Sequence, residues 1–588
     1  MPFTKLPFLP GFYTEHTDTD SANRYIDGNH TRFYKDFPMK VGGCVKTSNN
    51  IFLGICRGID AWVTLLDKKY IGLGTNLKLY IDDGGTFYDI TPLSASGTYV
   101  NNPLTTTIST TSVNVLHVAH GQSVGNYITI SGATAVGGLT IVGEYTVTTI
   151  VDADNFTITA ASAASSTATG GGASVIYEYQ IDIGAVSTSP LNGWGGGTWG
   201  AGTWGTPRTG AGFLQFARTW VVSNYGEDLI ASPRDKGIYF WDASTGTATR
   251  AVIVANAPIT NKFVLVSPED RYIIAMGAHD GGNSDPMLIR WSSQDDKTDW
   301  TPTSINTAGD KRLSEGNLIM TAVSSRGQVI ISTDTTVYAM YPDSEFVFGF
   351  KTLGVGACIS PNGMVEYNGI VYWIGANNFF MYDGTIRIMP CDVRQYVFDN
   401  LTALQSYKVF AWVNSDWNEI WYFYQDNDGT ECNRYVAHNL DGTIWHFGSW
   451  SRTAGLDKGA VSTTPIATGT NGIVYAHESG VDDDGMALDA YYTTGSPQDH
   501  NKFSFIRKML PNFKTLVGNM TAVFQTKNYM QTTESVTTTS YNMTNTTPYI
   551  CPRIKGDEFN ITFRSNEVGG DFFAGTMQIQ IMGVGARG

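Results

Sequence analysis

Apolar positions along this chain come in short runs, many alternating with polar ones, and the runs are broken by Gly, Asn and Asp. Alternation of that kind marks half-buried strands, whereas a helix needs apolar residues three and four apart. Few windows show helical spacing; residues 393–402 and 21–26 are the candidates, and both are short. The runs are rich in Thr, Val and Tyr, which fit a pleated surface. The pattern predicts an all-β protein.

Four regions differ along the chain. Residues 1–95 open with irregular polar sequence and continue into first strands at 51–59 and 61–66, then a hairpin of 78–81 with 86–90 around Asp83-Gly84-Gly85. Residues 96–180 are rich in Thr, Ala, Ser, Val and Gly and poor in charge. Strand patterns there cover 113–118, 127–130, 143–150, 156–160 and 175–183, with a low-complexity patch at 160–173. Trp-rich sequence resumes afterwards, so this region reads as a small β-barrel or β-sandwich inserted into a loop of a larger domain.

Residues 181–500 form that larger domain. Strand pairs recur with a period of roughly 40–50 residues, the spacing of four-stranded propeller blades. Asp383-Gly384, Asp428-Gly429 and Asp441-Gly442 read as hairpin turns, because Asp-Gly takes positive φ with little strain. The expectation is a β-propeller of about six blades, or fewer if the first segment contributes strands across the insertion. Residues 501–588 are Thr- and Asn-rich, with strands at 520–526, 558–563 and 575–581, and read as a separate C-terminal β-domain.

Composition sharpens this picture. The chain has 588 residues, so several cores are expected. Charged residues are only 15% and the net charge is −15. Such a surface repels phosphates and argues against tight, sequence-independent nucleic-acid binding, although a passage for sliding DNA would need few Lys and Arg. The six cysteines (Cys44, Cys56, Cys358, Cys391, Cys432, Cys551) are dispersed. Reduced, half-buried thiols are expected, with a Cys44–Cys56 pair across a hairpin as the alternative. No leader-like or membrane-spanning apolar stretch stands out, so synthesis and folding in the cytoplasm are expected.

Searches for chemistry return little. His117 and His120 lie close together but lack a third metal ligand nearby, and surface histidines are expected. Asp482-Asp483-Asp484-Gly485 and 426–431 look like fragments of calcium loops without the full ligand series, so Asp-rich turns are expected instead. There is no GxSxG, P-loop, HExxH or Rossmann glycine pattern. SQDDKTDW (residues 293–300) is similar to the Asp-box turn of sialidase propellers, but it lacks the glycine and occurs once; a tight turn packing Trp300 is expected. No catalytic residue, cofactor or metal ligand is assigned. The segment GWGGGTWGAGTWG places Trp194, Trp199 and Trp204 five residues apart, which is neither helix nor strand spacing. It reads as a loop packing its own tryptophans, with an aromatic contact to a neighbouring subunit or a sugar platform as alternatives.

Three stretches resemble one family. RYIDGNHTRFYKDFPMKVGGC (residues 24–44) is similar to the opening of tail hub and nozzle proteins (tail tubular protein B-like) of short-tailed bacteriophages, whose pattern is R-F-x-x-G-x-P-x-K-x-G-G. Arg32-Phe33, Pro38, Lys40 and Gly42-Gly43 match, while Asp36 stands where glycine is expected. GLGTNLKLYIDDGGTFYDITPL (72–93) resembles the hairpin these proteins carry before an inserted domain. The tryptophan-glycine segment followed by 220–241 looks like their first full blade. The resemblance implies a homohexameric ring below the portal and adaptor, enclosing a channel for double-stranded DNA that is passed without sequence-specific binding and carrying tail fibres or spikes outside. It also implies a virion location and no catalysis. A carbohydrate-binding receptor protein using Trp194, Trp199 and Trp204, or a propeller glycosidase, stay as alternatives.

Overall fold

A computed structural model describes residues 3–15, 21, 23–190, 214–496, 502–527, 537–556 and 558–586. Nearly all regular structure in it is strand. Seven four-stranded antiparallel sheets form a ring, one more than the about six blades expected. The first segment supplies the extra blade and one strand of another. Cys56–Val63, Lys69–Thr75, Leu79–Asp83 and Thr86–Asp89 make a complete blade I. Blades II to VI then follow in chain order, beginning at Trp220–Tyr225, Phe263–Val266, Ile319–Ser325, Met364–Tyr367 and Phe410–Asn414. Blade VII takes three strands, Ala454–Leu456, Ile466–Thr468 and Val474–His477, and borrows its outer strand Cys44–Lys46 from near the start of the chain.

The first strand of each blade lies innermost, and these strands touch in succession until the first strand of blade VII meets that of blade I. Alternation explains the layers, since each face of a blade packs on the next. Trp62, Leu79, Trp220 and Trp241 fill the space between blades I and II; Phe52, Cys56, Ala454 and Val474 fill that between VII and I. Trp220 also donates its indole N–H to the carbonyl of Thr75 on blade I (2.7 Å), which pins neighbouring blades together.

Both chain ends build one further module, the platform. Thr4–Lys5, Leu9–Phe12, Arg24–Asn29, Thr31–Tyr34 and Phe37–Lys40 join sheets with strands between Ala490–Thr494 and Gln578–Ala586. The terminal module is therefore built from both ends rather than from residues 501–588 alone. Of the helical candidate 21–26, residues 24–26 lie in the strand Arg24–Asn29, because Tyr25 is drawn into the shared core. The other candidate is a short helix, Arg394–Asn400. The platform packs on blades V and VI, with Phe12 and Phe447 rings 4.9 Å apart.

The inserted module is one curled eight-stranded sheet, an open half-barrel whose edges are Leu93–Thr98 and Ala168–Gly170. The bent strand Gly143–Ile150 pairs with Tyr127–Ser131 by its first half and with Asn155–Thr159 by its second. Its core, including Val113, Ile128, Phe156 and Ile158, is its own.

Several local readings change. Residues 51–54 are loop, and one strand, Cys56–Val63, replaces the two expected at 51–59 and 61–66. Leu65 and Leu66 instead form the tip of the following hairpin, fully in solvent. Asp428-Gly429 lies in a long loop between Glu419–Tyr424 and Arg434–Asn439 rather than in a two-residue hairpin. Gly84 and Gly85 do form the two-residue turn, both with positive φ.

Candidate functional site: the propeller axis and the platform joint

A propeller concentrates its loops and strand ends around its axis, so that is where a site is sought. The seven inner strands surround a cavity of about 200 Å³ lined by Gly58, Trp220, Phe263, Thr321, Met364 and Phe410. Toward the face carrying the first-to-second strand hairpins the axis widens to about 500 Å³, with Leu265, Val323, Val365, Trp412 and Leu456 as walls and Glu366 and Asp457 at the rim.

At the opposite end charged side chains meet. Arg57 Nη2 donates to Glu431 (2.8 and 2.7 Å) and to the carbonyl of Val186 (2.8 Å). Lys408 Nζ donates to Glu431 (2.9 Å), to Ser187 Oγ (2.9 Å) and to the carbonyl of Thr430 (2.6 Å). Burial pulls the pKa of Lys408 below the ordinary lysine range, and the Glu431 carboxylate works against that pull. Beside this knot Arg234 lies over Tyr407, which in turn stacks on Phe216 at 4.3 Å. Side-chain exposure is 2% for Arg57, 1% for Lys408 and 11% for Glu431, so this is a plug of mutually paired charges rather than a cleft offering them to a substrate.

A second charged cluster joins platform to propeller. Arg32, on Thr31–Tyr34, reaches Glu419 of blade VI (3.2 Å) and Glu478 after blade VII (2.5 and 3.1 Å). Its guanidinium also lies 4.4 Å from the Trp417 ring centroid. Glu419 accepts from Trp421 Nε1 (2.9 Å) and lies 3.1 Å from His446 Nε2; Glu478 accepts from Asn414 and Trp417. Burial alone would lower the pKa of Arg32 and raise that of Glu419, yet the facing charges overturn both: Arg32 is held above its usual value and Glu419 below.

The neighbours of Arg32 in the sequence motif share this joint. Lys40 Nζ donates to the carbonyl of Gly570 (2.6 Å) in a buried bond. A Cβ on Gly42 would stand 2.4 Å from Glu478, and one on Gly43 would stand 2.2 Å from the carbonyl of Asp482. Lys35 and Asp36 form the turn between Thr31–Tyr34 and Phe37–Lys40 with φ of +48° and +70°. Position 36 thus does require the left-handed conformation, which Asp tolerates in place of the expected glycine.

The remaining sequence candidates resolve as follows. Trp194, Trp199 and Trp204 lie outside the described residues. His117 and His120 sit in the inserted module, and His120 is buried rather than on the surface; its Nε2 is 3.1 Å from the carbonyl of Asp152, while His117 Nδ1 is 2.6 Å from Tyr179 Oη. Asp426 is consumed by its own loop, accepting from Asn433 and Arg434. Asp483 lies 2.8 Å from Cys44 Sγ. Trp300 is buried and donates to the carbonyl of Lys297. All six cysteines are free thiols, and Cys44 and Cys56 belong to different blades. Among the described residues no group of three or more His, Cys, Asp and Glu could hold a metal ion, and no helix is long and apolar enough to cross a membrane. The two charged clusters were missed in the sequence because Arg32, Arg57, Lys408 and Glu419 read as surface residues; only Arg32 was flagged, through its motif.

These features define the class: a closed seven-bladed β-propeller carrying a platform made from both chain ends and an inserted half-barrel. No family profile matches the chain, and no curated protein matches it. Solved structures do. Hsv2 of Kluyveromyces lactis is similar over 42% of this chain and 67% of its own, at 10% identity and a TM-score of 0.26. The endosialidase of phage phi92 is similar over 83% of this chain and 75% of its own, at 12% identity and a TM-score of 0.21. An exo-β-1,3-galactanase of Phanerochaete chrysosporium is similar over 61% of this chain and 95% of its own, at 12% identity and a TM-score of 0.16. Likenesses this distant carry no argument about activity.

Proposed function

We propose that the chain is a non-catalytic structural subunit of a bacteriophage tail, one of six copies in a nozzle or hub ring that surrounds the DNA exit channel and anchors fibres or spikes. The observation that carries this reading is the position of residues 24–44. The stretch that resembles phage nozzle proteins is the one that welds platform to propeller, and its matched residues Arg32, Phe33, Pro38 and Lys40 are buried in or beside that joint. A rigid propeller whose buried charges at the axis and at the platform joint are paired with one another suits assembly. In this reading DNA passes between copies and not through the propeller, whose axis is closed. Head-to-tail packing of identical wedges closes when the rotation between them fits.

Light scattering and negative-stain images of the purified chain test the proposal. The expected result is a six-fold ring, with no turnover of host polysaccharide. A lone particle of 64.0 kDa at micromolar concentration overturns it.

A further inference from the structure

The face that carries the first-to-second strand hairpins holds more than the widened mouth of the axis. Beside that mouth a pocket of about 320 Å³ opens between the hairpins of blades III, IV and V. Ile274, Val329, Met340 and Phe348 make its apolar lining, while the mouth is walled by Leu265, Val323 and Trp412. Pro268, Ser324 and Glu366 line both spaces, so pocket and mouth form one continuous groove.

The hairpins around this groove are braced. Ser325 Oγ of blade IV donates to the carbonyl of Gly369 in blade V (3.3 Å). Arg326 crosses the same turn so closely that a Cβ on Gly369 would stand 2.2 Å from its Nε. On blade III, Ser267 N–H donates to the carbonyl of Tyr272 (2.8 Å) and Arg271 N–H to the carbonyl of Ser267 (3.0 Å), which closes the turn holding Glu269 and Asp270. The two acids of the mouth are anchored as well. Glu366 Oε1 accepts from the N–H of Gly369, and Asp457 Oδ1 accepts from the N–H groups of Ser415 and Lys458 (3.2 and 2.8 Å). A groove already set in this way loses little freedom when it is filled.

Charge along the groove is one-sided. Glu269, Asp270, Glu366 and Asp457 line it against a single cation, Arg326. The cations adjacent in sequence are engaged elsewhere, Arg271 with Asp295 (3.1 Å) and Lys458 with Asp416. Glu366 belongs to both spaces, so the sequence across the face is apolar pocket, carboxylate, apolar mouth. That is the complement of an apolar–basic–apolar run of side chains, and two joined spaces of this size suit an extended chain. A second copy of this chain is a poor source of such a run, because it carries a net charge of −15.

We propose that this groove docks an extended segment of a different protein, with one apolar side chain in the pocket, a second in the mouth, and a lysine or arginine between them over Glu366. The inference stands apart from the ring reading, since it needs no particular number of copies. Its test uses the full chain and labelled peptides in which one to four lysines separate two leucines, spans of roughly 7 to 17 Å when extended. Binding is read by fluorescence anisotropy, and at least one length is expected to saturate below about 1 mM. Replacing the leucines by serine, or the lysines by glutamate, is expected to weaken the best peptide roughly tenfold. Glu366→Gln/Asp457→Asn should weaken it roughly tenfold too, whereas Asp310→Asn/Glu345→Gln, on the outer strands of blades III and IV, should change it less than about twofold. Circular dichroism checks each fold, and Ser324→Arg, which sets a cation at the junction, stands in should the paired amides disturb it. No saturable binding at any length overturns the proposal. So does binding that the serine peptide, the glutamate peptide or the groove variant keeps at full strength, or that the outer-strand variant weakens equally.

Discussion

Where the platform meets blades V and VI, aromatic rings from both bodies share one core and a buried guanidinium bridges carboxylates from two blades. Where the inserted module meets blade I, the contact is smaller and wetter. Lys78 Nζ donates to Asp89 (2.9 Å) and Glu144 (2.6 Å), Gln180 donates to Glu144 (2.8 Å), and the cores on either side stay separate. Lys78 is 5% exposed, but Glu144 is 34% exposed, so water already shares that ion pair. One attachment is a fusion and the other a hinge-sized patch. The platform shares its core with blades V and VI, so removing it would expose that core, whereas the half-barrel carries a core of its own.

The largest effect expected from breaking this contrast is at Arg32. Arg32→Met strands Glu419 in the interior without its cation and should cost about 3–5 kcal/mol, read as a fall in the denaturant midpoint. Retention of wild-type stability would show that the joint is apolar in substance. Acid should act on the same joint next. His30 and His438 have pKa values lowered by burial from 6.5 to about 4. A histidine kept neutral in the fold contributes stability that is complete above the unfolded value of 6.5 and is lost as pH falls toward 4. Each should therefore remove about 1.4 kcal/mol per pH unit across that window. Glu419, held below its usual value, adds to the loss as pH falls further. Burial also raises the pKa values of Asp60 and Asp82 to about 6, which stabilises the fold as pH falls through the same range. Equilibrium unfolding of wild type is therefore compared with that of His438→Gln between pH 7 and pH 4, and equal slopes for the two would refute the histidine effect.

At the insert, Lys78→Met should loosen only the base, by about 1–2 kcal/mol. Hydrogen exchange would speed up in Leu93–Thr98 and Ile176–Gln180 while blades II to VI stay unchanged. Smallest is Asp36→Gly, which removes the Cβ from a left-handed position and should stabilise by at most about 1 kcal/mol, seen as a slight rise in melting temperature.

Much of this architecture is legible in the residues. The blade period, the Thr- and Ala-rich insertion, the glycine turn at Gly84-Gly85 and the short helix at Arg394–Asn400 follow from local pattern. What escapes is long-range pairing. Cys44–Lys46 looks like any short apolar-polar run, and nothing in it names Val474–His477 as its partner. The same blindness leaves the strands of residues 51–90 as first strands of the N-terminal segment rather than a complete blade. Leu65 and Leu66 extend an apolar run and so read as strand, although they end it in water. Buried ions fail for a different reason: hydropathy assigns Arg57, Lys408 and Glu431 to the surface, and only their mutual contact makes the interior tolerable.

The borrowed outer strand of blade VII sets a schedule for synthesis. Cys44–Lys46 leaves the ribosome more than four hundred residues before Val474–His477. At about 5–20 residues per second the early strand waits on the order of tens of seconds with its edge unpaired. Until then the nascent ring is a crescent, open at one side and exposed to wrong partners. Translation rate and chaperone supply thus become determinants of how much of this protein reaches its closed form.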